Sequence, residues 1–227
     1  MAQHTKRIAS PRSWPVKRKE HTWISSPKSG HTLKNSLPLN TVFKDLLKLA
    51  KTTKESRYII FNKDVKLNGN KVSSEKAGMG IFDVLTLGEI KESYTLLLNT
   101  RGKLTIKKLS DKESEIILSK VVGKTYLPNK KIQLNFLGGM NLIVTKDECS
   151  IGDTAVISFK DAKIKEIIKL EKGALVYLLT GKNISKTAKV QEVQGKILVC
   201  GHGDLSFKIN KDDIVTVGKD KPYISIE

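Results

Sequence analysis

The chain has 227 residues, with 41 Lys+Arg against 23 Asp+Glu, a formal net charge of +18 and an apolar fraction of 39%. That length suits one large domain or two to three small ones, and that composition supports modest cores rather than one deep core or a wholly disordered chain. So large a positive excess opposes compaction unless a polyanion neutralises it, which points to nucleic acid; because the charge is spread along the chain and not gathered on one amphipathic helix, it points away from a membrane surface.

Residues 1–40 are the most basic stretch. Lys6, Arg7, Arg12, Lys17, Arg18, Lys19, Lys28 and Lys34 stand against a single acid, Glu20, before residue 36. Such a segment buries too little apolar surface to offset its ordering entropy, so it is expected to be extended or disordered until it meets its partner. Residues 1–24 lack the apolar core of a secretory signal, and Pro11, Pro15 and Pro27 oppose a targeting helix. Trp14 and Trp23 are unusual in a linker; each wants a surface, either a base or the protein body.

Phe43, Leu46, Leu47 and Ala50 repeat at i, i+3, i+4, i+7 and predict a helix over 41–51, capped by Asn40 or Thr41. Lys44, Lys48 and Lys51 form a stripe on another face of that helix. A second helix is expected over 54–62, entered through Thr52-Thr53 and carrying Arg57. Alternating apolar residues around Asn68-Gly69 predict two short strands with a tight turn, and 81–87 reads as a further strand.

From Tyr94 onward the pattern is β. Strands at 94–98 and 104–108 flank a turn at 99–102, and further candidates follow at 116–122, 132–136, 141–145, 154–159 and 164–170, with turn signals at Gly138-Gly139, Gly152-Asp153 and Asp161. Short strands with regular turns imply a small barrel or sandwich. After Gly173 come five more strand candidates, at 175–179, 189–193, 196–200, 205–209 and 214–217, the number that closes a small barrel.

Enzyme signatures are missing. No phosphate-binding loop, dinucleotide fingerprint or nucleophile elbow is present, and Gly181-Lys182-Asn183 lacks the Ser/Thr that a phosphate loop requires. Asp212 and Asp213 are adjacent in sequence, which makes a poor acid/base couple, and Asp83 reads as a turn residue that starts a strand. Cys149 and Cys200 are isolated, and His4, His21, His31 and His202 show no metal-like spacing, so the histidines read as surface or RNA-contacting groups. No catalytic residue, metal site, cofactor or small-molecule substrate is expected.

The lysine stripe, Arg57 and Val65-Lys66-Leu67-Asn68-Gly69-Asn70-Lys71-Val72 resemble the S-four RNA-binding domain, in which a helix carrying Arg and a turn containing Asn-Gly form a basic surface for structured RNA. Longer stretches resemble, in order, the archaeal/eukaryotic small-subunit ribosomal protein S-four-e family. These are 6–14, 26–31 and 36–39, then Gly80-Ile81-Phe82-Asp83-Val84, Asn99-Thr100-Arg101-Gly102-Lys103 and 218–225. The resemblance implies an α+β, mostly β fold. It comprises a basic N-terminal extension (1–40), an S-four-type helix-helix-strand domain (41–92), a central β-barrel-like domain (93–170) and a C-terminal SH3-like KOW barrel (171–227). Where the family pattern of that barrel has glycines, this chain has Ser185 and Ala188.

The same resemblance implies a structural constituent of the cytoplasmic small ribosomal subunit. Its partners would be small-subunit rRNA and neighbouring ribosomal proteins, with no membrane. The expected RNA contacts are Lys6, Arg7, Arg12, Trp14, Lys17, Arg18, Lys19 and Lys28 in the extension. In the S-four-type unit they are Lys44, Lys48, Lys51, Arg57, Lys66, Asn68 and Lys71, and in the barrel Lys182 and Lys186.

Overall fold

The computed structural model describes residues 5–128, 131–159, 163–202, 205–219 and 221–226; His4 and Asp161, singled out above, lie outside them. Strands dominate and helices are few. The chain divides into two compact units, one of residues 1–99 and 103–115, the other of 100–102 and 116–227.

In the first unit the chain runs through β1 (Thr5–Lys6), β2 (Trp23–Ile24), β3 (Ser36–Pro38), α1 (Leu39–Thr41), α2 (Thr53–Asn62), β4 (Val65–Leu67), β5 (Asn70–Lys71), β6 (Gly78–Gly80), β7 (Val84–Leu87), β8 (Glu92–Leu98) and β9 (Leu104–Leu109). The main sheet has the order β5-β4-β7-β8-β9, and two small antiparallel pairs, β1-β2 and β3-β6, complete the unit. Asn68 and Gly69 both take positive φ, 50° and 79°, in the two-residue connection from β4 to β5, the geometry that favours Asn-Gly in tight hairpins. The boundary expected between 92 and 93 falls within β8. Strands β8 and β9 extend the sheet of β4, β5 and β7 and do not open a new layer.

The N-terminal segment differs from expectation. Residues 5–38 are folded onto this unit. Trp14 is 2% exposed, as buried as Leu37, Phe43 and Phe82 of the same unit, and its indole N–H donates to the Leu33 carbonyl at 3.0 Å. The backbone N–H of Leu104 donates to the Ser13 carbonyl at 2.8 Å, which ties the segment to β9. A composition-based reading missed this because one buried tryptophan and a handful of directed hydrogen bonds anchor a chain whose average is polar.

The helix expected over 41–51 is shorter and irregular. After α1, residues Val42–Leu46 form wider turns, the Leu47 N–H reaching the Val42 carbonyl five residues back. The helix stops at Lys48, which adopts the left-handed region at φ 55°, a conformation usual at helix C-termini although more often filled by Gly or Asn. Neither Asn40 nor Thr41 caps it; Pro38 stands before the first turn. By contrast α2 matches its expected span, and the Thr52 hydroxyl accepts from the Glu55 N–H at its start.

The second unit holds two five-stranded antiparallel sheets. The first is formed by β10 (Ile116–Leu127), β11 (Lys131–Phe136), β12 (Asn141–Val144), β13 (Thr154–Ser158) and β14 (Ile164–Ile168), in the order β12-β11-β10-β13-β14. Strand β10 pairs with β13 through its first half and with β11 through its second, with a register irregularity between Val121 and Gly123. Such an irregularity bends a strand and lets one strand serve two partners. Ile117, Val121, Leu134, Phe136, Ala155 and Ile157 form its core.

The other sheet comprises β15 (Leu175–Leu178), β16 (Thr187–Gln194), β17 (Ile197–His202), β18 (Leu205–Asn210) and β19 (Ile214–Gly218). Its order is β18-β17-β16-β15-β19, so the last strand returns to pair with the first. Val176, Leu178, Val190, Leu198, Cys200 and Ile214 are its core. Within this unit the buried Lys120 of β10 donates through Nζ to the carbonyls of Lys211 (2.6 Å), Asp212 (3.2 Å) and Ile214 (2.9 Å). All three ammonium protons therefore have an acceptor. Burial still pushes its pKa down to about 8, partly offset by the nearby Asp212 charge.

Candidate nucleic-acid interface

The N-terminal segment and the irregular helix together build a basic surface. Pairing of β1 with β2 brings Lys6 opposite Trp23. Arg7 is not on that surface. It is buried, its Nε–H donates to the Lys17 carbonyl at 2.6 Å, and its guanidinium meets Asp45 at 3.2 Å and Glu20 at 3.6 Å. Arg7 therefore pins the segment to the helix that carries Asp45, and neither Arg7 nor the equally buried Trp14 is presented on the exposed basic surface.

Two adjoining clefts share Arg7, His21, Lys44 and Asp45 in their walls. The first, of about 440 Å³, is bounded by β1, β2, α1 and the start of α2, and Lys28, Lys44 and Lys76 border it. The second, of about 500 Å³, gathers Lys17, Lys44, Lys48 and Lys51. Lys17 from the extension and the three expected stripe lysines thus do converge, but around a cleft and not along a regular helix face. The wide turns over Val42–Leu46 leave Lys44 half-buried between the two clefts. Arg7 and Asp45 largely cancel each other, so the lysines set the sign of the potential.

Arg12, Lys19, Lys28 and Lys71 are exposed and Arg18 is partly so. Arg57 is 55% exposed and bonds Glu75 at 2.8 Å, and this guanidinium holds the Glu75 carboxyl below the ordinary range. Lys66 sits 3.1 Å from Asp64. Asn68 is partly exposed at the turn. Its amide donates to Asp83 Oδ1 at 2.9 Å and accepts from the Val84 N–H at 2.9 Å, which fixes the side chain against the protein.

Asp83 in turn accepts from the Gly80 N–H at 2.6 Å and faces the His31 ring at 3.3 Å, with both side chains almost fully buried. Burial works to raise the Asp83 carboxyl, but His31, Gly80 and Asn68 together outweigh it and hold the group below the usual carboxylate range. His31 is thus a structural partner and not a surface group. A Cβ on Gly80 would fall 2.1 Å from its ring, so only glycine admits this contact. The motif Gly80-Ile81-Phe82-Asp83-Val84 is thereby explained as a packing and polar-network motif, with Phe82 itself at φ 67°.

Some surface groups escaped the sequence reading. Lys76 belongs to the first cleft because the Lys28 N–H bonds the Lys76 carbonyl at 2.7 Å, a pairing distant in sequence. On α2, Tyr58 and Phe61 are 61% and 50% exposed, one helical turn apart and interleaved with Lys54 and Arg57. The interleaving was visible in the sequence; the burial of Ile60 and Ser56, which turns the aromatics outward, was not.

In the second unit Lys182 and Lys186 are exposed in the connection between β15 and β16. Ser185 takes φ 72° there, so a left-handed position is filled by a residue with a Cβ, whereas Ala188 lies buried in β16 at ordinary φ. Cys149 and Cys200 are buried free thiols, and burial pushes both up. Among the described residues no group of three or more His, Cys, Asp or Glu side chains is placed to hold a metal.

The model of the Ribosomal family S4e matches residues 90–164, and that of the RS4NT (NUC023) domain matches residues 1–33. The small ribosomal subunit protein eS4 of Methanosphaera stadtmanae is 32% identical over 231 residues, covering 99% of this chain and 95% of that protein. The chain belongs to the S4e family. Its S4e relative from Methanococcus maripaludis, also a small ribosomal subunit protein eS4, is 33% identical over 239 residues, covering 99% of this chain and 97% of the relative. The crystal structure of the 30S ribosomal protein S4e from Thermoplasma acidophilum superposes with a TM-score of 0.72 at 28% identity, over 83% of this chain and 98% of that one. The RS4NT match spans the anchored segment that holds Arg7 and Trp14, so in this S4e chain the segment is a folded element of the first unit.

Proposed function

We propose that this S4e chain is a structural constituent of the small ribosomal subunit, binding and stabilising small-subunit rRNA, without catalysis. The observation that carries the reading is the full-length similarity to proteins named small ribosomal subunit protein eS4. The lysine-lined clefts of the first unit give it a physical basis. Clustered ammonium groups neutralise phosphates and release condensed counterions, which supplies most of the affinity for a structured RNA.

The contacts fall on Lys6, Arg12, Lys17, Arg18, Lys19 and Lys28 of the extension and on Lys44, Lys48, Lys51, Arg57, Lys66 and Lys71 beyond it, with Lys182 and Lys186 as a separate contact on the C-terminal sheet. In this reading 41–92 supply an S-four-type module whose sheet β8 and β9 extend, and the remainder of 93–170 supplies a central β domain. Residues 171–227, whose last strand returns beside the first, serve as the SH3-like KOW barrel. Neighbouring ribosomal proteins are the remaining partners, and the ribosome is the location.

Sedimentation tests the reading. Tagged protein in a gently lysed cell extract is expected to travel with small subunits in a gradient at moderate salt. Recovery in the particle-free fractions, or release by a mild salt wash as for a transient factor, would refute it.

A further inference from the structure

The first cleft has features that phosphate neutralisation alone does not require. Trp23 lies at its rim with 58% of its surface exposed, although tryptophan is the side chain with most to gain from burial. His21 stands on the same wall. Asn40, 7% exposed, donates its amide N–H to the Ser25 hydroxyl at 2.9 Å, while its Oδ1 is buried with no hydrogen-bond partner. That oxygen is sealed behind the wall, and the cleft itself is bordered by cations. Lys28, Lys44 and Lys76 supply the cations around it. The cleft volume, about 440 Å³, lies in the lower part of the range of small-ligand sites.

An aromatic face and three ammonium groups around one small concavity match the base and the phosphate of a nucleotide. We propose that this cleft receives a single unpaired nucleotide of the bound RNA, with its base against Trp23 and its phosphate held by Lys28, Lys44 and Lys76. Single-stranded positions are the ones whose bases can be splayed out in this way, because a paired base offers no free face. The inference rests on the RNA-binding reading above and gives it a point of selectivity that a purely electrostatic surface lacks.

The test uses the full chain and three probes: a hairpin RNA with an unpaired loop, the same stem as a continuous duplex, and free adenosine monophosphate. The hairpin is expected to bind more tightly than the duplex and to shield the exposed tryptophan from iodide quenching. Trp23→Ala should weaken hairpin binding roughly tenfold, the loss typical of one base-stacking contact, and leave duplex binding within about twofold. Trp23→Phe should recover most of the affinity, which a variant that acts by misfolding would not permit.

Equal loss on hairpin and duplex, or no loss on either, would overturn the nucleotide site and leave the RNA-binding reading standing. Failure of the unaltered chain to bind either RNA would instead overturn that reading, and this site with it. Shielding by free adenosine monophosphate as strong as by the hairpin at equal concentration would overturn the RNA origin of the nucleotide.

Discussion

The two tryptophans of the N-terminal segment show how one residue type divides between structure and surface. Trp14 fills the core and gives its N–H to a carbonyl, whereas Trp23 stays open to solvent at a basic cleft. Trp14→Ala should therefore cost about 3–5 kcal/mol in urea unfolding and Trp23→Ala less than about 1 kcal/mol. Equal costs would show that the segment is not anchored as described. Asp83 gives a pH signature. Its carboxyl is held below the range it has in the unfolded chain, so its contribution is present at neutral pH and is lost as pH falls from about 4 through the lower folded value. Asp83→Asn should be less stable at neutral pH and should flatten the acid limb of a stability–pH profile. An unchanged acid limb would contradict the polar network.

At the scale of elements, Ser185 and Lys120 carry the clearest expectations. Ser185 holds a left-handed backbone in the β15–β16 connection, where a Cβ costs about 1–2 kcal/mol and glycine costs little beyond its unfolded-state entropy. Ser185→Gly should stabilise by about 0.5–1 kcal/mol in thermal or denaturant unfolding. Lys120 is charged at neutral pH and loses its proton near 8 when folded, but near 10.4 when unfolded. Between these values the unfolded chain binds more protons, so this lysine adds stability as pH rises, by about 3 kcal/mol across the window. Lys120→Met should lose that rise, and at neutral pH should lose about 2 kcal/mol or more because three carbonyls are left without their donor.

These elements also show what the sequence made legible. Helix α2, the Asn68-Gly69 turn and the strand series after Tyr94 follow from caps, turn residues and alternation, all of which are local signals. The early stop of the first helix at Lys48 was hidden because a lysine took the left-handed position that glycine usually marks. The fates of Arg7, Asn68 and His31 were hidden for a different reason. Each is decided by a partner distant in sequence: Asp45 for Arg7, and Asp83 for the other two. Residue type alone marked all three as candidates for RNA contact, and only the fold shows that each is held by the protein itself.

For the whole molecule, the central claim is that the surplus cations of the first unit meet RNA phosphates. Lys17, Lys44, Lys48 and Lys51 come from two separated stretches of chain and line one cleft, which is the arrangement a polyanion would recruit. The most direct measurement is the affinity of the purified chain for a small-subunit rRNA fragment as a function of salt concentration. A log–log slope of several units is expected, and each of Lys17→Ala, Lys44→Ala, Lys48→Ala and Lys51→Ala should reduce it by about one. A slope near zero, or one that all four substitutions leave unchanged, would contradict the account.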